Sequence, residues 1–399
     1  MARSIAELPR GQRITDYISF GVIEKTFPLK KVEEVLERTG RASQRERDLP
    51  AHMMVYYAIA LALYMGSSCR EVLRCLFSAF WWLRDSVQRV KIVGKSGISQ
   101  ARSRLGYIPV KALHDEVVKP IATSETKGAW YRGRRLVSLD GSTMDVADTE
   151  RNGEAFGRPK AGRGKTGYPQ LRYVSLVEGG THVLFGTQLG PYATSEMALA
   201  KEVVGHLKAG MLCLADRYFF GFARWEQARA TGAELLWRVQ TNLVLPPHKR
   251  LEDGSFLSKV YPSLSERRRG TNGVIVRVIE YKLEGVEDAQ PFYRVITTIL
   301  DPRQAPAAEL AALYIERWEI ETAFDELKTH MRGSRVVLRS KTPDLVRQEF
   351  YGFLMAHFAV RGLMHEAALK EGIDPDKLSF IHSVRVLRRK MPQFVAIPP

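Results

Sequence analysis

Four polar side chains between residues 307 and 331 share one side of a predicted helix: Tyr314, Arg317, Glu321 and Lys328. When the helix is projected at about 100° per residue, they form a stripe about 60° wide. Apolar residues such as Phe324 and Leu327 lie beside this stripe, so it borders the buried edge of the helix. A carboxylate flanked by cations at such an edge is suited to bind a metal ion and a phosphate together. A salt-bridged surface helix is the alternative that the spacing alone leaves open.

Two aspartates are predicted to lie where strands end. Asp140 follows the run Leu-Val-Ser-Leu, and Asp216 follows the apolar run Leu-Cys-Leu-Ala. A charged residue at the end of an apolar strand commonly faces a crevice in mixed α/β folds, because the strand fixes its backbone. The alternative is an aspartate that forms a turn or caps a helix, particularly for Asp140, which precedes Gly-Ser-Thr.

Asp140, Asp216 and Glu321 together have the chemistry of a metal site. Phosphodiester cleavage by two metal ions about 3.5–4 Å apart requires hard oxygen ligands, which carboxylates supply. Arginine and lysine side chains nearby would then neutralise the phosphate. The set therefore predicts two Mg²⁺ ions, with Mn²⁺ as the ion that competes for the same oxygen ligands.

Helical patterns dominate the first part of the chain, from about residue 14 to residue 105. The apolar run 53–65 predicts a buried core helix, since it is too short to cross a bilayer, which takes about 20 residues. A short basic helix is predicted over Ser99–Gly106. Its Arg102 and Arg104 either contact phosphates or lie in solvent.

The pattern changes at residue 134, where short β-rich runs begin and then alternate with helices. This order predicts a mixed α/β (α+β) fold, in which helices pack on a mixed sheet. Residues 234–302 are strand-like again and interrupt the alternation, which predicts a β-rich insertion. Helical patterns return after residue 306.

Composition and charge favour a folded, nucleic-acid-binding protein. The 399 residues include 60 Lys and Arg against 44 Asp and Glu, a formal net charge of +16, and such an excess favours a polyanionic partner. The three cysteines have no CxxC or zinc-ligand spacing, so neither a disulfide framework nor a structural zinc site is expected. The N-terminus lacks the apolar region of a signal peptide. We expect a cytoplasmic protein without a membrane partner.

The chemistry-bearing residues resemble those of a known family. The spacing Tyr-x2-Arg-x3-Glu-x6-Lys in the predicted helix matches the signature of DDE transposases of the insertion sequence four family. Residues 138–149, beginning Ser-Leu-Asp-Gly-Ser-Thr, resemble the first-aspartate block of that family, and residues 214–219, Leu-Ala-Asp-Arg-Tyr-Phe, resemble its second. Residues 14–64 resemble its N-terminal domain. The resemblance covers about residues 14–370.

The resemblance implies a ribonuclease H-like catalytic core and a role for each matched residue. It implies that Asp140, Asp216 and Glu321 are the metal-binding catalytic residues. It further implies that Arg317 and Lys328 contact phosphate. Tyr314 is implied to contact the DNA backbone.

Two other residues are assigned from their neighbours in the sequence. Arg217 directly follows the second aspartate and is predicted to steer DNA. Trp318 directly follows Arg317 and either stacks on an unpaired base or packs in the core. No residue of the insertion is assigned to hold a flipped base.

The resemblance and the element order together predict five successive segments. These are an N-terminal helical DNA-binding domain over 1–125, the first part of the catalytic core over 126–230, a β-rich insertion over 231–304, the second part of the core over 305–370, and a basic tail over 371–399.

The implied function is cut-and-paste transposition, in which the protein binds transposon ends, cleaves the strands and joins them to target DNA. Double-stranded DNA, as transposon ends and as target, is the implied partner, bound by a homodimer in the synaptic complex. A nucleoid-associated bacterial protein is expected. Two hypotheses from other classes are a catalytically inactive DNA-binding regulator of transposition and a general metal-dependent nuclease.

Overall fold

The computed structural model describes residues 7–8, 12–13, 15–45, 48–84, 93–159, 167–282, 292–316, 323–324, 326–327 and 337–389, with the backbone alone over 7–8, 12–13, 15–20, 77–84, 385–389 and at residue 316. The chain forms two compact units. The first combines Met1–Ile121, Met144–Leu171 and Phe324–Pro399, and the second combines Ala122–Thr143 and Arg172–Ala323. Each unit therefore contains segments that are distant in sequence, and the five successive segments stay a prediction.

The described elements follow the chain in this order: β1 (Glu7–Leu8), β2 (Gln12–Arg13), α1 (Thr15–Thr26), α2 (Leu29–Arg38), α3 (Ala51–Leu63), α4 (Cys69–Arg84), α5 (Lys95–Leu105), α6 (Ile108–Val117), β3 (Trp130–Tyr131), β4 (Arg134–Asp145), α7 (Glu150–Phe156), β5 (Gln170–Glu178), β6 (Leu184–Pro191), α8 (Glu196–Val203), β7 (Met211–Ala215), α9 (Phe222–Arg229), β8 (Glu234–Arg238), β9 (Lys249–Arg250), β10 (Phe256–Val260), α10 (Leu264–Arg269), β11 (Val274–Tyr281), β12 (Tyr293–Thr297), α11 (Ala307–Glu316), α12 (Pro343–Glu371) and α13 (Phe380–Arg389).

The first unit is mainly helical and is built around α3 and α12. Every residue of α3 from Met53 to Leu63 is buried, which confirms the predicted core helix. The two helices approach closely at Gly352, where an added Cβ would lie 2.4 Å from the carbonyl oxygen of Ala58. Glycine is required there because any side chain would force the two helix backbones apart.

The second unit contains a sheet with strand order β6-β5-β4-β7-β8-β12-β11-β10-β9, and β3 pairs with β4 outside this path. The β4–β7 and β7–β8 pairs are parallel, while the pairs from β8 through β12, β11 and β10 to β9 are antiparallel. All five residues of β7 are buried, as expected for a central strand covered on both faces. The mixed α/β fold predicted from the sequence is confirmed.

The strands of the predicted insertion continue the same sheet. β8 pairs with β7 on one side and β12 on the other. The region therefore adds further strands to the edge of the central sheet. Arg277 of β11 is completely buried and contacts Asp253, and it donates from Nη1 to the carbonyl oxygen of Ala305 at 2.6 Å. Asp253 Oδ2 also accepts from the backbone N–H of Ala307 at 2.8 Å. The insertion therefore fixes the N-terminal end of α11.

Helices cover both faces of the central strands. On one face α11 packs on a cluster of buried residues that includes Leu136 of β4, Leu214 of β7 and Leu236 of β8. Burial of each such side chain stabilises the fold by about 1.5–3 kcal/mol. On the other face Trp225 of α9 packs edge to face on Trp237 of β8, with ring centroids 5.5 Å apart. Among the residues that the structure describes, no helix has the length and apolar character needed to span a bilayer.

Candidate active site

Asp140 lies inside a strand and not at its end, so the sequence-based placement was wrong on this point. β4 continues to Asp145, because β5 pairs along its other edge in the sheet. The parallel pairing with β7, however, stops at Leu139, which is the partner of Ala215. Asp140 is therefore the first residue of β4 beyond the end of β7, and it is neither in a turn nor a helix cap.

Asp140, Asp216 and Arg238 form a row across three neighbouring parallel strands. Leu139 pairs with Ala215, and Ala215 pairs with Trp237. Asp140, Asp216 and Arg238 are the residues that directly follow these three paired residues. Neighbouring strands lie about 4.8 Å apart, and register partners point to the same face. Asp216 follows the last residue of β7, as predicted. The two carboxylates thus lie on neighbouring strands just beyond the last β4–β7 residue pair.

The row also shares the sheet face on which α11 packs. Side chains alternate between faces along a strand. Asp216 is two residues beyond Leu214, and Arg238 is two residues beyond Leu236. Both leucines belong to the cluster under α11, whereas the intervening residues face the opposite side. On this face of the sheet, the apolar side chains of each strand are therefore followed by a charged side chain.

One oxygen of Asp216 is buried and accepts no hydrogen bond. The side chain is 32% exposed, but Oδ1 is inaccessible to solvent and has no hydrogen-bond partner. The guanidinium Nη1 of Arg238 lies 3.9 Å from it, which is too far for a hydrogen bond. A buried carboxylate oxygen without a donor is energetically costly unless a cation binds it. The Asp140 carboxylate accepts from the N–H of Gly141 at 2.8 Å. The oxygen donors present fit a hard divalent cation.

Tyr314 is held by protein in this structure. The side chain is 5% exposed, and its hydroxyl donates to the carbonyl oxygen of Ala215 at 3.2 Å. Ala215 directly precedes Asp216, so Tyr314 connects α11 to the end of β7. The contact with the DNA backbone that the resemblance implies stays a prediction.

Arg217 is exposed beside Asp216 and lines a cavity of about 450 Å³. Two other cations, Lys259 and Arg267, line the same cavity, together with aromatic side chains such as Phe220 and Tyr261. Positive charge and aromatic faces are the two features that bind nucleic-acid strands. The surroundings of Arg217 are therefore compatible with its predicted role in DNA steering.

Arg238 is a site residue that sequence reasoning missed. Its guanidinium stacks on the ring of Tyr293 at 4.8 Å, and it is the last residue of β8, directly after the apolar run Leu-Leu-Trp. A charge directly after an apolar run is the same signal that identified Asp216. That signal was available in the sequence, but only the pairing of β7 with β8 brings Arg238 to Asp216.

Four predicted site residues lie outside the described residues: Arg317, Trp318, Glu321 and Lys328. Of the three predicted metal-binding carboxylates, the structure thus brings together Asp140 and Asp216. Over the described ranges no group of three or more metal-binding side chains is found.

Comparisons with known proteins agree on one family. The N-terminal domain of insertion element 4 transposases matches residues 17–115, and the transposase DDE domain matches residues 131–359. The transposase InsG for insertion sequence element IS4 of Escherichia coli (strain K12) is 27% identical over 366 residues, 90% of this chain and 80% of InsG. InsZ of the same organism is 25% identical over 197 residues, 49% of this chain and 62% of InsZ.

Among solved structures, the cryo-EM structure of a piggyBac transposase synaptic complex with hairpin DNA aligns with this chain. The alignment covers 96% of this chain and 82% of the piggyBac transposase chain, at 11% identity and a TM-score of 0.46.

The match to the DDE domain over residues 131–359 defines a DDE transposase, a DNA-cleaving and strand-transferring enzyme with a ribonuclease H-like core. Enzymes with this domain use divalent metal ions. Within that class, the chain belongs to the insertion sequence four family.

Proposed function

We propose that this protein excises an insertion sequence and joins it to target DNA by a cut-and-paste mechanism. In this proposal it binds both ends of the element, hydrolyses the DNA strands there and transfers the freed ends. The observation that carries the proposal is the register of Asp140 and Asp216, which places two carboxylates together beyond the end of β7. The transposase family of the chain supports the same reaction.

Asp140, Asp216 and Glu321 are proposed to hold two Mg²⁺ ions. When bound, such ions activate the attacking oxygen and stabilise the leaving oxygen of a phosphodiester. The buried Oδ1 of Asp216 supports this assignment, because it accepts no hydrogen bond that a bound cation would have to replace. Tyr314 is proposed to hold the end of β7 through the Ala215 carbonyl and thereby to fix the Asp216 backbone.

The cations around the carboxylates are proposed to bind the phosphate backbone. Arg317 and Lys328 would orient the phosphate that reacts, as the resemblance implies. Arg217 would contact DNA at the edge of its cavity, where Lys259 and Arg267 add positive charge. Trp318 is proposed to stack on an unpaired base. Several phosphate contacts of this kind make binding depend steeply on salt concentration.

The assembly is proposed to be a homodimer that holds two transposon ends. The N-terminal domain, over about 1–125, would supply much of the contact with the ends. Mg²⁺ is proposed as the ion, with Mn²⁺ as a substitute, because both bind carboxylate oxygens. A nucleoid-associated location in the bacterial cytoplasm follows from this function.

The test is an excision assay with a plasmid that carries this gene and its flanking DNA. Purified wild-type protein, Glu321→Gln and Asp216→Asn are incubated with the plasmid and Mg²⁺, and the products are sequenced at their ends. Glu202→Gln is the matched control, since Glu202 is an exposed carboxylate of α8. We expect wild type and Glu202→Gln to release one discrete fragment. Glu321→Gln and Asp216→Asn should bind the DNA without cutting it.

Each other outcome identifies a different function. Full activity of Glu321→Gln would refute the assignment of that carboxylate. Scattered cuts that require Glu321 would show a general nuclease, and binding without cutting by wild type would show an inactive regulator. A parallel titration with Mg²⁺ and Mn²⁺ measures which ion supports release of the fragment at the lower concentration.

A further inference from the structure

The exposed face of α5 carries positive charge and hydrogen-bonding groups but no carboxylate. Its exposed side chains are those of Lys95, Ser96, Ser99, Gln100, Ser103 and Arg104. Its buried side chains are those of Ile98, Ala101, Arg102 and Leu105. The exposed face of α2 differs, because it mixes Lys30 with Glu33, Glu34 and Glu37. The exposed face of α2 therefore carries both charge signs, whereas that of α5 carries one.

The two cations of α5 flank its uncharged polar groups. Projected at about 100° per residue, the exposed face spans about 180°, with Lys95 at one edge and Arg104 at the other. Gln100 and Ser103 lie between these edges. The cations are nine positions apart in the sequence, about 14 Å along the helix axis. The major groove of B-DNA is about 12 Å wide and accepts an α-helix. Because the two cations lie at opposite edges of the exposed face, each can meet phosphates on a different side of the groove.

Arg102 fixes α5 from its buried side. It is 6% exposed and donates to Gln348 Oε1 at 2.8 Å, to Ser340 Oγ at 3.0 Å and to the carbonyl oxygen of Leu345 at 3.1 Å. Neither sequence-based alternative for Arg102 was correct, because its side chain is buried and its guanidinium donates to protein groups. Instead it holds α5 against α12, so the exposed face has a fixed orientation.

A second source of positive charge lies at the C-terminal end of α5. Arg41 donates from Nη1 to the carbonyl oxygen of Arg104 at 3.0 Å. Arg41 and Arg104 line a cavity of about 230 Å³ between α5, the start of α3 and the loop that contains Ser43 and Gln44. Two guanidinium groups beside an open cavity form a suitable site for a DNA phosphate.

We infer that α5 is the helix of the first unit that reads the sequence of the transposon ends, with Gln100 and Ser103 at base edges in the major groove. Lys95, Arg104 and Arg41 bind phosphates at its two flanks. Amide and hydroxyl side chains are suited to base edges because they donate and accept hydrogen bonds. The inference rests on the proposed binding of transposon ends and assigns the contact to one helix.

The test is a binding selection from a pool of random duplexes with the full-length protein in EDTA, which prevents cleavage. Four proteins are compared: wild type, Gln100→Ala, Arg104→Ala and the control Lys30→Ala on α2. We expect wild type and the control to enrich the same base sequence. Gln100→Ala should reduce the preference for the selected base about tenfold at one or two base pairs. Arg104→Ala should keep the preference and bind selected and unselected duplexes with similarly reduced affinity, and the slope of log affinity against log salt should fall by about one.

The outcomes separate this inference from the function on which it rests. If wild type enriches a sequence and the α5 variants, including a combined Ser99→Ala, Gln100→Ala and Ser103→Ala protein, enrich it equally, α5 does not read DNA. If wild type enriches no sequence, recognition of the ends fails as well. Circular dichroism verifies that each surface variant is folded.

Discussion

Replacement of Arg238 by glutamine is expected to strengthen metal binding at Asp216. The Arg238 guanidinium lies 3.9 Å from Asp216 Oδ1. A divalent cation at that oxygen must overcome the positive charge of Arg238. The side chain of glutamine keeps similar length and polarity and removes only the charge.

The magnitude follows from the distance and the exposure of the two side chains. Unit charges 3.9 Å apart interact by about 1 kcal/mol in a water-like dielectric and by about 4 kcal/mol at an effective dielectric of 20. The Asp216 side chain is 32% exposed and that of Arg238 is 18% exposed, so solvent screening favours the lower value. We expect a gain of about 1 kcal/mol, which is about a fivefold lower Kd for the metal ion.

The assay measures free Mn²⁺ by electron paramagnetic resonance during titration of the protein without DNA. Arg250→Gln on β9 is the matched control, because Arg250 is an exposed arginine away from the row. Asp216→Asn should weaken binding and thereby locate the signal at this site. An affinity of Arg238→Gln equal to or below that of wild type would refute the electrostatic reasoning.

Three further predictions concern residues away from this row. Arg277→Met should lower the free energy of unfolding by about 3 kcal/mol, because it leaves the Asp253 carboxylate without its buried partner; denaturant unfolding followed by tryptophan fluorescence measures the change, and a loss below about 1 kcal/mol would contradict it. Burial lowers the pKa of His114 below its ordinary 6.5, so the unfolded chain takes up the proton first. As the pH falls below 6.5, the free energy of unfolding of wild type should decrease by up to about 1.4 kcal/mol per pH unit more than that of His114→Leu. Equal pH profiles of the unfolding midpoints of the two proteins would oppose this reasoning. Burial raises the pKa of the Cys213 thiol to about 12, so a thiol reagent at pH 8 should label the partly exposed Cys69 before Cys213; mass spectrometry of the labelled peptides measures the order.

Local patterns were sufficient to predict much of the fold. The apolar run 53–65 predicted α3, and the run before Asp216 predicted β7 with the correct end. Both predictions succeeded because burial of a continuous apolar segment is a property of the segment itself. The spacing of Tyr314 relative to the following residues also predicted a helix over about 307–331, and α11 is described over its first part, Ala307–Glu316.

Predictions failed where a distant segment decides the outcome. Asp140 was placed at a strand end because it follows the run Leu-Val-Ser-Leu, but pairing with β5 extends β4 to Asp145. Arg102 was expected in phosphate contact or in solvent, but Gln348 and Ser340 bury it. Each partner lies outside the sequence window in which the pattern was evaluated.

The sequence by itself determined the family, the mixed α/β fold, the excess of positive charge and the residue types that suit metal-assisted cleavage of DNA. These features depend on composition, local spacing and motif order. Only the tertiary structure decided that Asp140, Asp216 and Arg238 form one row and that Tyr314 holds the end of β7. The physical reason is that strand register and helix packing are set by contacts between residues far apart in the chain, which no local pattern specifies.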